Sequence, residues 1–277
     1  MSQVIFKDFQ VIIFDCYGTL ADWETGIFTG LQPLLARFPS SATWTRKEAL
    51  LAFTEIEKNL QVKDPGVLYR DLLAKAHEVM ANTLRDNDET SPVDFAKSKE
   101  FGDSIRDWPI FPDTCDALRV LEKHYKLVIL SNVDRASFAH THAKLSQDTD
   151  LVPYTFPAPN PNAHWLPQTT PNSRSPFSLI LTAQDTGAYK PDPRGMLAAL
   201  DIIQKEFDVG KEQVLVVAQS LYHDIEPSSK LGVNGVWINR EGAVMGLETI
   251  NEAPKWRKRF ETLGEMAAAV DTEERTC

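Results

Sequence analysis

Side chains that could do chemistry follow short apolar runs at separate places in this sequence. Asp15 ends the run "VIIFD", and Ser131 and Asn132 end "LVILSN". Lys190 stands in "GAYKPDP", and Asp224 ends "VLVVAQSLYHD". A carboxylate can act as a nucleophile and form a covalent ester, and a nearby ammonium group favours its charged form. The pattern therefore predicts a hydrolytic site in which Asp15 is the nucleophile.

The remaining groups have defined tasks in such a site. Lys190 can hold Asp15 ionised and neutralise charge on an intermediate. Asp224 can position Lys190 or orient the water that opens the ester. Ser131 and the backbone N–H groups of the turn "CYGT" can donate hydrogen bonds to a substrate carboxylate or an oxyanion. Each residue also has a structural alternative, because acids, serines and asparagines at strand ends cap turns and helices.

The apolar runs predict the fold that would bring these residues together. The runs are rich in β-branched residues and continuous rather than alternating; they read "QVIIFD", "KLVILSN", "SLILTAQ", "QVLVVAQS" and "GVWINR". Continuous apolar strands of this length are typical of a parallel sheet covered on both faces. Helical patterns such as "PRGMLAALDIIQKEF" separate most of them. The alternation predicts a doubly wound, Rossmannoid α/β core, whose ligands bind at the carboxyl ends of the strands.

Two intervals depart from this alternation. About a hundred residues between the first strand and Lys126 carry helical patterns, one of them with Thr45 and Glu48 at capping-box spacing. We predict a helical cap over residues 21–106, inserted into an α/β core formed by 1–20 and 107–277. The second interval, at about 147–176, holds seven of the 17 prolines. We interpret it as a long loop insertion that elaborates the surface rather than forming the site.

Composition excludes several classes of function. The net charge of −10 is spread along the 277 residues, which argues against nucleic acid or an anionic membrane as a partner. No apolar run is long enough to span a bilayer, and the N-terminal residues lack a secretory pattern. The three cysteines lack the spacing of metal ligands. These features favour a cytoplasmic protein that needs no metal or other cofactor.

The motifs together resemble a known superfamily. "FDCYGTL", "LVILSN", "YKPDP" and "VVAQSLYHD" stand in the order of the four motifs of the haloacid dehalogenase (HAD) superfamily, and the helical insertion resembles its cap. In phosphatases of that superfamily, an acid two residues after the nucleophile protonates the leaving alcohol. Tyr17 occupies that position here. The first motif therefore resembles instead the 2-haloacid dehalogenases of type II, whose aspartate attacks C2 of a small carboxylic acid.

Within that group, longer stretches are similar to azetidine-2-carboxylate hydrolases, notably "FDCYGTLADWETGI", "KHYKLVILSNVDR" and "TAQDTGAYKPDP". That resemblance implies opening of a strained proline analogue to 4-amino-2-hydroxybutanoate, a detoxification. Two departures from the dehalogenases agree with it. The cap segment "LLAFTEIEKNL" lacks the arginine that would cradle a halide, and "AQSLY" replaces a Ser-Ser-Asn run.

The resemblance implies a set of residues around a small-molecule carboxylic acid. Asp15, Lys190 and Asp224 are the expected catalytic residues. The expected substrate-binding residues are Tyr17, Thr19, Trp23, Ser131, Asn132, Ser220 and His223. We expect Thr19, Ser131 and Asn132 to hold the substrate carboxylate, and the rings of Tyr17 and Trp23 to face its cationic nitrogen. Relatives among the dehalogenases are often dimers, so a homodimer is also implied.

Three functions compete at this level. The first is the carbon-attacking hydrolase, with azetidine-2-carboxylate favoured over (S)-2-haloacids. The second is a Mg²⁺-dependent phosphatase in which Asp15 and Asp224 ligate the ion without a second acid near the nucleophile. The third is a non-catalytic binding protein, which has no need of the Asp, Ser and Lys combination.

Overall fold

The computed structural model describes residues 5–88, 94–147, 164–245 and 256–275. Its centre is a sheet of six parallel strands in the order β3-β2-β1-β4-β5-β6. The strands are β1 (Val11–Phe14), β2 (Lys126–Ser131), β3 (Phe177–Thr182), β4 (Val214–Ala218), β5 (Asn234–Ile238) and β6 (Trp256–Phe260). The predicted doubly wound α/β core is confirmed.

Strand β1 lies in the middle of the sheet, where the strand order reverses. Phe14 pairs with Ile129 of β2 on one side and with Val217 of β4 on the other. The carboxyl ends of these three strands therefore lie side by side, and the residues after them share one edge of the sheet. This is the position at which open α/β sheets bind ligands.

Burial on both faces explains the continuous apolar runs. Ile12 and Phe14 of β1 pack in one hydrophobic core, and Val11 and Ile13 pack in a second core on the opposite face. All four side chains are at most 1% exposed. Because successive side chains of a strand point to opposite faces, a sheet covered on both sides requires an apolar residue at every position.

Helices cover the sheet and form a layer above its carboxyl edge. They are α1 (Trp23–Leu35), α2 (Arg46–Lys63), α3 (Tyr69–Asp88), α4 (Phe95–Asp103), α5 (Thr114–Leu121), α6 (Arg135–Leu145), α7 (Ala183–Thr186), α8 (Pro193–Phe207), α9 (Glu226–Lys230) and α10 (Leu263–Arg275). We refer to α1–α4 as the cap helices. The predicted capping box at the start of α2 is present, with the Thr45 hydroxyl accepting from the Glu48 N–H. None of the described helices is both long enough and apolar enough to cross a membrane.

The proline-rich insertion can be followed only in part, because residues 148–163 lie outside the described residues. After them, the Trp165 carbonyl accepts a hydrogen bond from the Ile180 N–H, extending the edge of β3 (2.9 Å). The Trp165 ring is buried and lies edge-on to His142, with ring centroids 4.6 Å apart. The described end of the insertion therefore packs against the core beside β3 and does not line the cavity described below.

Candidate active site

Lys190 joins two carboxylates at the carboxyl edge of the sheet. Its Nζ atom donates to Asp15 Oδ1 and to Asp224 Oδ1, each at 2.7 Å, and to the Leu130 carbonyl at 2.9 Å. Asp15 follows β1, Asp224 lies in a π-helical turn after β4, and Lys190 comes from the segment between α7 and α8. All three side chains are at least nine-tenths buried. The structure thus brings together the three predicted catalytic residues.

Asp15, Lys190 and Asp224, which we call the triad, lie close enough for their charges to shift the pKa values of Lys190 and Asp224. Burial would lower the pKa of Lys190, but Asp15 and Asp224 outweigh that effect and raise it above its ordinary value. Burial raises the pKa of Asp224 to about 7, against the opposing attraction of Lys190. Asp224 Oδ2 is buried and has no hydrogen-bond partner among the described residues. Asp224 can therefore gain or lose a proton near neutral pH, which suits a group that activates water.

Thr19 holds the carboxylate of Asp15. Its hydroxyl donates to Asp15 Oδ2 at 2.9 Å and accepts from the Gln219 N–H at 2.9 Å. The side chain is fully buried and is not part of the cavity wall. The expectation that Thr19 holds the substrate carboxylate is therefore not met, because its hydroxyl is already used inside the protein. With Lys190 on Oδ1 and Thr19 on Oδ2, the Asp15 carboxylate is held at both oxygens.

Removing this hydroxyl tests its positioning role. In Thr19→Val, Asp15 loses the partner of Oδ2, and we expect kcat to fall about 10- to 100-fold with little change in KM. Thr19→Ser keeps the hydroxyl and is expected to retain most of the activity. Steady-state kinetics of the two variants checks this. Equal kcat values for Thr19→Val and the unchanged protein would contradict the role.

The two polar residues at the carboxyl end of β2 have different surroundings. Ser131 lines the cavity, and its buried hydroxyl has no hydrogen-bond partner among the described residues. It is available to donate to a substrate carboxylate, as expected. The Asn132 side chain instead clamps the backbone of Lys190: Oδ1 accepts from the Lys190 N–H at 2.7 Å and Nδ2 donates to the Lys190 carbonyl at 3.1 Å. Asn132 therefore positions Lys190, and it also lines the cavity.

Tyr17 and Trp23 line the cavity, as predicted. The Tyr17 hydroxyl forms a hydrogen bond with Thr141 Oγ1 at 2.8 Å. Its ring meets Trp108 edge-on, with centroids 5.3 Å apart. Burial raises the pKa of Tyr17 well above its usual range, so its proton is not available near neutral pH. Tyr17 thus supplies an aromatic wall and does not replace a second carboxylic acid.

Ser220 and His223 close the cavity on the side of β4. The Ser220 hydroxyl accepts from the His223 N–H and lies 3.1 Å from His223 Nδ1. Burial lowers the pKa of His223 to about 4, with Lys190 acting in the same direction. The imidazole is therefore neutral and a weak base at neutral pH. Both residues reach the cavity, in keeping with a role in substrate contact rather than in proton transfer.

The cavity in front of Asp15 has a volume of about 450 Å³. Its sheet side holds the predicted residues, whereas its cap side holds residues that sequence reasoning missed. These are chiefly Thr54, Glu57 and Gln61 of α2 and Tyr69 of α3; Tyr189 and Gln219 of the core line the cavity as well. Thr54, Glu57 and Gln61 have the spacing of one helix face, which is visible in the sequence. Which face of α2 turns toward Asp15 is decided by tertiary packing and could not be derived from that spacing.

Comparisons with known proteins concern the family and the fold. The sequence profile of the haloacid dehalogenase-like hydrolases matches residues 9–228. A defluorinating L-2-haloacid dehalogenase is similar in structure, with a TM-score of 0.65, 17% identity and 95% of both chains covered. The L-2-haloacid dehalogenase from Xanthobacter autotrophicus with chloropropionic acid covalently bound has a TM-score of 0.65 and 15% identity, over 95% of this chain and 98% of the other.

A third similar structure is the HAD-hydrolase YfnB from Bacillus subtilis bound to magnesium. Its TM-score is 0.63 and its identity 16%, with 95% of this chain and 99% of the other covered. At such identities the likeness concerns the fold. A search of curated proteins gave no match.

Proposed function

The chain belongs to the haloacid dehalogenase-like hydrolases, and from this premise we propose that Asp15 attacks C2 of a small 2-substituted carboxylic acid. The substrate we favour is L-azetidine-2-carboxylate, which would be opened to 4-amino-2-hydroxybutanoate. The observation that carries the proposal is the buried Asp15–Lys190–Asp224 triad with Tyr17, rather than an acid, two residues after the nucleophile. This arrangement supports substitution at carbon, which needs a nucleophile and a leaving group but no acid beside the nucleophile.

The proposed reaction has two steps. A carboxylate oxygen of Asp15 forms a bond to C2 while the C2–N bond of the ring breaks, and the nitrogen leaves with the electron pair as a primary amine. Water then adds to the aspartyl carbonyl carbon, and the 2-hydroxy acid departs as Asp15 regains its carboxylate. The proton lost by water passes through Asp224 and ends on the product amine. Lys190 stabilises the negative charge that develops at the aspartyl carbonyl.

The cap side of the cavity supports the amine over a halide. Of the described arginines, none from the cap helices lines the cavity; the cap cation that does is Lys58, whose ammonium lies over the ring of Tyr222 at 5.7 Å. Arg46 of α2, the helix that faces Asp15, is instead paired with Glu24 at 3.3 Å. A halide ion leaving the substrate would need a cationic cradle, whereas a departing amine would be hindered by one. The aromatic rings of Tyr17 and Trp23 suit a cationic nitrogen.

An (S)-2-haloacid dehalogenase is the second candidate. It is favoured by the similar structures, whose names give L-2-haloacids as their substrates. A Mg²⁺-dependent phosphatase has less support, because Tyr17 replaces the acid that would protonate the leaving alcohol. Asp15 and Asp224 would be the carboxylates available to such an ion.

A paired assay separates these candidates. Purified protein is given L-azetidine-2-carboxylate, L-2-chloropropionate or an aryl phosphate, each with EDTA and with added Mg²⁺. We expect ring opening at equal rates with EDTA and with Mg²⁺, measured as formation of a primary amine. Chloride release without ring opening would support the dehalogenase. Phosphate release that depends on Mg²⁺, with the other two substrates inert, would overturn the proposal.

A further inference from the structure

A carboxylate on the cap side of the cavity has no assigned task in the reaction described above. Glu57 of α2 lines the cavity that also contains Asp15, Lys190 and Asp224, and it interacts with the hydroxyl of Tyr69. Gln61 Nε2 donates to Glu57 Oε1 at 3.4 Å. Among the described residues, no lysine, arginine or histidine forms an ion pair with Glu57. Its partners within the protein are therefore neutral.

Aromatic rings line the cavity near Glu57: Tyr17, Tyr69 and Tyr189 form its wall, and the buried Trp108 packs behind them. Tyr69 lies edge-on to Trp108 at a centroid distance of 6.4 Å, and Trp108 lies edge-on to Tyr17 at 5.3 Å. Tyr189 completes this wall, 6.4 Å from Tyr69. The hydroxyl of Tyr189 donates to the Val67 carbonyl at 2.7 Å, so that group is already satisfied. Ring faces attract cations, and a carboxylate at the end of such a wall adds a full negative charge.

Glu57 is half-buried, and its carboxylate has no cationic partner within ion-pair distance among the described residues. Burial raises the pKa of Glu57 to about 7, and the Tyr69 hydrogen bond opposes this only in part. A ligand cation beside Glu57 would restore its ionised form. The Lys190 ammonium and the Ser131 hydroxyl lie on the sheet side of the cavity, and the Glu57 carboxylate lies on the cap side. Lys58 of the same helix also lines the cavity, where its ammonium lies over the ring of Tyr222 at 5.7 Å.

We propose that Glu57 and the aromatic wall bind the cationic nitrogen of the substrate, and that Glu57 thereby selects amino acids with a nitrogen substituent over 2-haloacids. This inference rests on the proposed function and narrows its substrate class. A substrate with a carboxylate at one end and an ammonium at the other matches the two sides of the cavity. A departing halide would instead meet the negative charge of Glu57. Glu57 is therefore the specificity-determining residue of the cap.

Binding of two unreactive ligands tests this without any turnover. L-Proline has an unstrained ring with a cationic nitrogen, and (S)-tetrahydrofuran-2-carboxylate has the same ring with a neutral oxygen. By calorimetry at pH 8, we expect the unchanged protein to bind L-proline at least about tenfold more tightly than the ether. In Glu57→Gln, the affinity for L-proline falls about 10- to 100-fold and that for the ether changes less than about threefold.

Glu78→Gln is the matched control. Glu78 lies on the neighbouring cap helix α3, is paired with Lys75 at 2.9 Å and does not line the cavity. Its removal is expected to leave both affinities unchanged. If Glu57→Gln loses the same factor in affinity for L-proline and for the ether, Glu57 has a structural role and the inference is overturned. The lack of a preference for L-proline in the unchanged protein, including the lack of binding, would overturn it too.

The same experiment distinguishes failure of the inference from failure of the proposed function. Selective binding of L-proline that depends on Glu57 supports the inference even when L-azetidine-2-carboxylate is not opened, because neither ligand reacts. Conversely, ring opening by a protein that binds both ligands alike supports the proposed chemistry and removes Glu57 from it. Circular dichroism of Glu57→Gln confirms that the cap helices are retained.

Discussion

Asp15→Asn is expected to lose at least about 10⁴-fold in kcat with L-azetidine-2-carboxylate, as removal of a nucleophile does in other covalent hydrolases. The amide has nearly the same size as the carboxylate, but only its carbonyl oxygen can accept one of the hydrogen bonds that Lys190 and Thr19 donate. It lacks the negative charge and the nucleophilic oxygen pair. Steady-state assays that follow formation of the primary amine measure the fall in kcat. Asp201→Asn, at an exposed position of α8 paired only with Lys205, serves as the control.

Isotope labelling decides whether Asp15 forms an ester. In ¹⁸O-water under single-turnover conditions, water attacks the aspartyl carbonyl, so one ¹⁸O atom enters Asp15 and the product carries an unlabelled hydroxyl group. Mass spectrometry of the peptide that contains Asp15 detects this. Direct attack of water on C2 would instead label the product in the first turnover and leave Asp15 unlabelled. That result, together with activity in Asp15→Asn, would exclude the covalent mechanism.

The fold could be predicted where burial leaves a pattern in the sequence. Strands β1 to β5 are covered on both faces, so their residues form the continuous apolar runs that identified them. Strand β6 was missed because "WRKRF" alternates, with Arg257 and Arg259 exposed at the edge of the sheet. An edge strand can carry charges at every second position, and such a segment resembles an ordinary surface loop.

The site could be predicted on the side formed by the sheet. The predicted residues on this side, Asp15, Ser131 and Asp224, lie at or just after the ends of strands. Parallel strands bring their carboxyl ends together whatever the details of packing. No comparable rule predicts the direction in which a hydroxyl points within a tight turn. For this reason we predicted that Thr19 binds the substrate, whereas its hydroxyl donates to Asp15. Glu57 was missed for a related reason. Its contact with the cavity depends on how α2 lies over the sheet, which local spacing does not determine.

Lys190→Met is expected to damage both activity and stability, because Lys190 is the only described cation in contact with two buried carboxylates. Methionine has a similar shape but no charge. Breaking a buried ion pair by removing one partner typically costs about 3–5 kcal/mol in the free energy of unfolding. Loss of the cation at the aspartyl carbonyl is expected to lower kcat by about 10²- to 10³-fold as well. Urea unfolding at pH 7 and steady-state assays measure the two effects.

The pH dependence of the loss in stability identifies the cause of that loss. Without Lys190, Asp15 and Asp224 repel each other, so the pKa of Asp224 rises beyond its value of about 7 in the unchanged protein. An unfolded aspartate has a pKa of about 3.9, so the folded variant binds more protons than the unfolded chain across neutral pH. The free energy of unfolding then falls as pH rises, by up to about 1.4 kcal/mol per pH unit for each extra proton bound.

We therefore expect the difference in stability between Lys190→Met and the unchanged protein to grow from pH 5 to pH 8. Lys205→Met supplies the comparison, because Lys205 forms an exposed pair with Asp201 at 2.6 Å. Exposed pairs contribute at most about 1 kcal/mol, and this variant should show no such trend with pH. If Lys190→Met loses the same free energy of unfolding at pH 5 and at pH 8, Lys190 instead stabilises the fold through packing of its aliphatic chain. In that case the charge balance of the triad would not control the protonation of Asp224.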